Sequence, residues 1–258
     1  FIAAQGTIDF RGRGLNLELF ASEVSAGLLT SFLKKPVALG GRMNIAAQVG
    51  GTIDNPEANA SLAISGGELA GATFDNLYGM FNLREDFYQI EQLFIQKDIY
   101  KASAYGSLPH DLFRAKGDRR NPEAQMSIQL RLDNANLAIL PSLTKNVEWG
   151  QGETSGAIMM TGTLEEPLAN GSLFINDGTV KIRHIDTLVE NLRLAVDFEG
   201  RSVRLRDLTA KLGPAGRLAA SGTFALRDDA REPYRLDISA SEVEIASAIF
   251  RGIINGKA

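Results

Sequence analysis

The 258-residue chain has no cysteine, only two histidines and a single tryptophan. The first absence excludes a disulfide framework and thiolate chemistry, and it leaves the compartment open, because a cysteine-free chain suits the cytosol and an oxidising periplasm equally. The second leaves His110 and His184 without another His or Cys at ligand spacing, so no metal site and no cofactor is expected. Positive charge is not in excess: 27 Lys and Arg stand against 31 Asp and Glu, a net charge of −4. A chain without a basic stripe cannot neutralise a phosphate backbone, which argues against nucleic acid as a partner. No run approaches 18 uninterrupted apolar residues, so no membrane-spanning helix is expected. The opening residues, Phe1-Ile-Ala-Ala-Gln-Gly-Thr-Ile8, lack the basic and apolar regions of a signal peptide and begin in mid-strand pattern, as if the chain were a piece of something longer.

What the chain has is a duplication. Gly51-Thr-Ile-Asp-Asn-Pro-Glu-Ala-Asn-Ala-Ser-Leu-Ala-Ile-Ser-Gly-Gly-Glu-Leu69 returns 111 residues later as Gly162-Thr-Leu-Glu-Glu-Pro-Leu-Ala-Asn-Gly-Ser-Leu-Phe-Ile-Asn-Asp-Gly-Thr-Val180. Leu77, Phe81 and Leu83 answer to Leu192, Val196 and Phe198 at an offset of 115, with four extra residues falling between Lys181 and Val189. Tyr88-Gln-Ile-Glu-Gln-Leu-Phe-Ile95 then matches Val203-Arg-Leu-Arg-Asp-Leu-Thr-Ala210. In both, the apolar alternation skips one position and resumes on the opposite parity, which requires a bulge or tight turn at Glu91-Gln92 and Arg206-Asp207. A closing step recurs three times, as Ala4-Gln-Gly-Thr-Ile8, Ala104-Tyr-Gly-Ser-Leu108 and Ala220-Ser-Gly-Thr-Phe224. The run Ala21-Ser-Glu-Val24 also returns, as Ala240-Ser-Glu-Val243.

Period-2 strands of about five to nine residues, about twenty in all, alternate with Gly, Asn, Asp and Pro turns. Amphipathic helical inserts are expected once per unit of roughly 110 residues, at Ser25–Leu33, Asn136–Leu143 and Glu244–Phe250. No long helix separates strands, so antiparallel meanders are expected rather than parallel βαβ winding. The organisation read from the repeat is 1–50 as the end of one repeat, 51–161 as a full repeat and 162–258 as the next, in one continuous array. His110–Pro122 reads as an exposed loop whose Arg114, Lys116, Arg119 and Arg120 form a solvated cluster, and Arg11-Gly-Arg-Gly14 as a hairpin turn.

Enzyme motifs are scarce. Ser31-Phe-Leu-Lys34 and Ser142-Leu-Thr-Lys145 fit S-x-x-K without the S-D-N or K-T-G that accompany it, and the duplication accounts for both. There is no P-loop, G-x-G-x-x-G or G-x-S-x-G, so the chain is not expected to be an enzyme.

Single-faced strands with too little helix to cover them must fold the sheet on itself, as a closed core, a sandwich or a curved trough. Leu62, Ile64, Leu83, Ile90, Leu93 and Ile95, with Leu173, Ile175, Leu194, Val196, Val203, Leu205 and Leu208, occupy its apolar face. Leu, Ile and Val serve a packed core and an acyl-chain lining equally, so the pattern leaves both open.

The Gly51-Thr-Ile-Asp-Asn-Pro-Glu and Gly162-Thr-Leu-Glu-Glu-Pro-Leu segments, followed by small-polar strands and the Ala-x-Gly-x-Leu or Phe steps, resemble in order and spacing the repeats of the TamB family within the AsmA-like group. The resemblance extends from residue 1 to about 250. It implies an all-β, taco-like groove with a hydrophobic interior, in the periplasmic region of an inner-membrane-anchored protein of a diderm bacterium. It also implies transport of phospholipid between inner and outer membranes, the thirteen apolar residues above lining the path of the acyl chains, and an Omp85-type outer-membrane partner for the full-length protein. A scaffold for outer-membrane protein assembly, acting through β-edge pairing, is the alternative. Edge-to-edge self-association of the isolated chain is expected on either reading.

Overall fold

A computed structural model describes residues 1–30, 39–69, 72–84, 87–110, 121, 123–137, 146–183, 185–226, 235–246 and 251–257. Its elements are β1 (Ile2–Asp9), β2 (Gly14–Ser25), α1 (Gly27–Thr30), β3 (Leu39–Gly51), β4 (Pro56–Leu69), β5 (Ala72–Arg84), β6 (Phe87–Lys97), β7 (Tyr100–Pro109) and β8 (Gln125–Asn136). They continue as β9 (Val147–Thr163), β10 (Pro167–Ile182), β11 (Val189–Gly200), β12 (Ser202–Leu212), β13 (Gly216–Ala225), β14 (Arg235–Ala246) and β15 (Arg251–Lys257). The strands form one fifteen-stranded antiparallel sheet in chain order, not closed into a barrel. Two units are distinguished, Phe1–Leu130 with Met160–Pro167, and Arg131–Met159 with Leu168–Ala258.

The strands are fewer and longer than the alternation suggests, because a break in phase bends a strand without ending it. The one expected at Glu91-Gln92 is a bulge: β6 and β7 shift register between Ile90 and Leu93, and the ladder of β5 and β6 shifts at the same place. Arg206-Asp207 repeats it, with shifts between Leu205 and Leu208 against β13 and between Ala195 and Val196 of β11. Ala-Ser-Glu-Val is a second bulge type. Register shifts between Ala21 and Val24 and again between Ala240 and Val243, with Glu23 and Glu242 left-handed at φ 55° and 52°. The Glu23 amide donates to Asn44 Oδ1 at 3.1 Å and that of Glu242 to Asn255 Oδ1 at 2.6 Å, so each displaced N–H is satisfied by an asparagine of the next strand. Asn134 takes the same left-handed geometry, φ 51°, in the middle copy.

The most similar segments are turns. Gly51 and Gly162 have φ of 78° and 87°, where a side chain is disfavoured, and Thr52 and Thr163 each accept at Oγ1 a 3.0 Å hydrogen bond from the amide three residues on, Asn55 and Glu166. Pro56 and Pro167 then open β4 and β10, a first strand position that proline tolerates. The closing steps have a steric cause: a Cβ on Gly6, Gly106 or Gly222 would overlap a carbonyl oxygen of the neighbouring strand, of Asn16, Ser127 or Arg235. Arg11-Gly-Arg-Gly14 is the hairpin expected, Asp9 Oδ1 accepting from the amides of Arg11 and Gly12 at 2.9 Å each. Where the second copy has its four extra residues, Lys181 Nζ donates to the carbonyls of Ile185 and Asp186.

Among the described residues, helix is confined to short pieces. α1 occupies part of the first expected insert and Leu137 makes a single 3-10 turn in the second. Glu244–Ala246 of the third are strand, because β15 returns at Arg251 and pairs with them, and a ladder outcompetes one or two turns of isolated helix. The remainder of the inserts, both S-x-x-K segments, His184 and the basic cluster at 114–120 lie outside the described residues.

Candidate functional site

Cross-strand partners in an antiparallel ladder share a face, so the registers locate every candidate residue without further assumption. In the first unit, Met43, Ile64, Leu77 and Ile95 form one row across β3 to β6, and Ile45, Leu62, Gly79 and Leu93 the next. Phe81 with Ile90 and Leu83 with Tyr88 continue the same face. In the second unit Leu173, Val196 and Leu205 form a row across β10 to β12, flanked by Ile175, Leu194 and Leu208 on one side and Phe198 and Val203 on the other. The thirteen residues picked from sequence thus fall on one face within each unit. The bulges make this possible: without the extra residue at Glu91 or Arg206, half of β6 and β12 would turn its apolar side chains to the other face.

Burial varies along these rows. Next to α1, Met43, Ile64 and Phe74 are buried together with Ala26, and Leu29 packs on them. Leu137 takes the same place in the second unit, against Ile175, Val180, Val189, Leu212 and Val243. Two glycines make room for rings on this face, Gly67 beneath Phe74 and Gly79 beneath Phe81. Away from that margin Leu62, Leu83, Ile90, Leu93 and Ile95 are half-buried, as are Leu173, Leu194 and Leu208. Val196, Val203 and Leu205 form a tighter cluster, each 8% exposed or less. The first unit's rows run outward through Ala21, opposite Ile45, to Ile2, which is 65% exposed; Leu19 and Ile8 on the same face are 40% and 44% exposed. In the second unit the Leu205 row ends through Gly222 on Leu236, 50% exposed. A row of Leu, Ile and Val that passes from a closed margin into solvent is an apolar surface with a covered edge.

One polar atom interrupts it. Thr154 is 6% exposed and its Oγ1 has no hydrogen-bond partner among the described residues. Its place in the repeat is that of Met43, so a hydroxyl stands where the first unit has a thioether.

The opposite face of the first unit is built differently. Gln5, Glu18, Gln48, Asn59, Asn82 and Gln89 make a continuous polar row from β1 to β6, with Gln5 Nε2 donating to Glu18 Oε2 at 2.6 Å. Beside it Phe20, Tyr78 and Met80 stand exposed around small residues such as Ala46 and Ser61. Sequence reading did not single these out, although alternation within β2 and β5 assigns them to this face. His110 packs edge-on against Tyr88 with ring centroids 5.1 Å apart. Among the described residues no group of three or more His, Cys, Asp or Glu is placed to hold a metal ion. No described helix is long and apolar enough to cross a membrane. Compared with family models, curated proteins and solved structures, the chain matches none.

Proposed function

We propose that the chain is a segment of a periplasmic lipid-transfer bridge, whose apolar sheet face shields phospholipid acyl chains during transport between the inner and outer membranes. The observation that carries the reading is the continuity of the rows. They are apolar across strand after strand, closed at one margin by Ala26 and Leu29 or by Leu137, and exposed at Ile2, Leu19 and Leu236. Contiguous apolar surface of this kind is costly in water and calls for an apolar occupant. An acyl chain needs no directional contacts, which fits rows of Leu, Ile and Val in which Thr154 brings in a buried hydroxyl. The resemblance to TamB repeats supplies the setting, a periplasmic protein anchored in the inner membrane of a diderm bacterium. No catalytic step and no cofactor enter this reading.

Solvent extraction of the purified protein followed by mass spectrometry tests it. The expected result is co-purified phospholipid, removable by delipidation and taken up again from labelled vesicles. Protein free of acyl lipid after gentle purification, and inert towards labelled vesicles, would overturn the reading and favour the assembly scaffold, in which sheet edges pair with client strands.

A further inference from the structure

The polar face of the second unit carries a 670 Å³ depression walled by Arg193, Lys211 and Arg217, with the hydroxyls of Thr209, Ser239 and Ser241. The registers bring them together. Arg193, Thr209, Ala219 and Ser239 are successive partners across β11 to β14, and Lys211, Arg217 and Ser241 form the adjoining row. Lys211 and Arg217 therefore stand directly opposite one another, an arrangement of like charges that destabilises a sheet. Neither they nor Arg193 makes a side-chain hydrogen bond or ion pair among the described residues, although Glu190 is the other cross-strand partner of Lys211. Elsewhere in this unit cations do find carboxylates: Arg204 with Glu199, Arg206 with Asp197 and Arg235 with Asp237. Asp177 is the one acid on the wall of the depression.

The duplication provides an internal control. The residues of the first unit corresponding to Arg193, Thr209, Lys211 and Arg217 are Tyr78, Phe94, Gln96 and Lys101: Tyr78 pairs with Phe94 as Arg193 does with Thr209, and Gln96 with Lys101 as Lys211 does with Arg217. The repeat thus keeps the apolar face in both units and gathers three cations in the second where the first has Lys101 alone, so the cluster is not a by-product of strand alternation.

We propose that this depression binds a phosphate group, as a free phosphate ester or as the headgroup of an anionic lipid in a membrane surface. A phosphate has the charge to relieve the Lys211–Arg217 repulsion and enough acceptor oxygens for two guanidinium groups, an ammonium and the hydroxyls. Ala219 in the middle of the row leaves room for it to approach the sheet. The site is on the face turned away from Leu208 and Leu212, so its ligand is not a lipid whose tails occupy the apolar rows, and the inference does not rest on the acyl-chain reading.

Thermal unfolding in inorganic phosphate, against chloride at equal ionic strength, tests the site in the parent protein, in Arg193→Gln/Lys211→Gln, and in Arg235→Gln as control. Phosphate should raise the melting temperature of the parent and the control, with phosphate affinity weakened about tenfold or more in the double variant. In chloride, Lys211→Gln alone should melt no lower than the parent, since it removes a like-charge pair. Flotation with phosphatidylcholine vesicles, with and without phosphatidylglycerol, separates the two sources. Variant-sensitive binding to the anionic vesicles alone assigns a headgroup, and a phosphate response without flotation assigns a soluble ester. A parent that responds to neither probe, or a double variant that responds as the parent does, overturns the site.

Discussion

A carboxylate placed at two positions of one row distinguishes an open apolar face from a closed core. Leu205 is 8% exposed and packs with Val196 and Val203, whereas Leu173, two strands away in the same row, is half-buried. Replacing Leu205 with Asp forfeits leucine burial, about 2–3 kcal/mol. It also desolvates the new carboxylate, and raising its pKa by about three units from about 3.9 costs a further ~4 kcal/mol at neutral pH. The sum, on the order of 6 kcal/mol, is comparable with the whole stability of an ordinary domain, about 5–15 kcal/mol. The folded-state pKa is the raised one, so folded protein holds the proton more tightly than unfolded. The deficit relative to the parent is therefore smallest below about pH 4, grows as pH rises towards the folded-state pKa, and is constant above it. At Leu173 water still reaches the carboxylate, so the loss should be about 1–2 kcal/mol and nearly independent of pH. Arg204→Asp, which removes an exposed pair with Glu199, should change stability by less than about 1 kcal/mol. Urea unfolding at several pH values, with acyl-lipid content measured on the same preparations, gives both readouts. Lipid lost from a folded Leu173→Asp supports the open face. Equal, steeply pH-dependent losses at both positions would mean a closed core, and full lipid retention in Leu173→Asp would put the lipid somewhere else.

Thr154→Val should stabilise the protein by about 1 kcal/mol, since valine keeps the shape and removes a buried hydroxyl without a partner; a lower melting temperature would show that the hydroxyl is satisfied. Gly106→Ala should destabilise by at least about 2 kcal/mol, because its φ is 133° and the added methyl meets the Ser127 carbonyl. Gly66→Asp should cost less than about 1 kcal/mol: nothing lies near its missing Cβ, and Asp177 occupies the matching position at nearly the same left-handed φ. Denaturant unfolding of the pair checks the contrast, and equal losses would refute the steric account. Sedimentation over a range of concentrations should show reversible self-association, as β1 and β15 each have one hydrogen-bonded neighbour; a single monomeric species at high concentration would refute edge pairing.

The apolar face was legible because it obeys arithmetic. Residues two apart share a face, and Ile90 with Leu93, or Leu205 with Leu208, share one only if an extra residue intervenes. The same spacing of three separates Ala21 from Val24 and Ala240 from Val243, and it marks bulges there too, a signal present in the recurring Ala-Ser-Glu-Val but read only as repetition. Spacing of three is also a helical signal. That ambiguity explains the insert at Glu244, where apolar residues three and four apart lie at their start in a strand, the deciding factor being a partner strand that no local pattern announces. The cation cluster was illegible for a related reason. Arg193, Lys211 and Arg217 lie on three strands, and only the registers put them around one depression.

The two faces are under different constraints, and the duplication separates them. Changing an apolar-face residue alters packing with neighbours on both adjoining strands, so Leu62 and Leu173, or Ile64 and Ile175, stay interchangeable hydrophobes. A residue on the opposite face meets water and can change with little effect on the fold. Tyr78 in one unit is matched by Arg193 in the other, and Gln96 by Lys211, while Tyr78 keeps Phe94 opposite it as Arg193 keeps Thr209, and Gln96 keeps Lys101 as Lys211 keeps Arg217. An array built this way can hold the apolar face of each unit constant and vary what each unit presents on the other side. Exchanging Tyr78 and Gln96 for Arg and Lys should therefore leave stability within about 1 kcal/mol of the parent. If the cations alone make the phosphate site, the exchange should also give the first unit a measurable response to inorganic phosphate. A response that fails to appear would show that the hydroxyls of Thr209, Ser239 and Ser241, which the exchange does not supply, are needed as well.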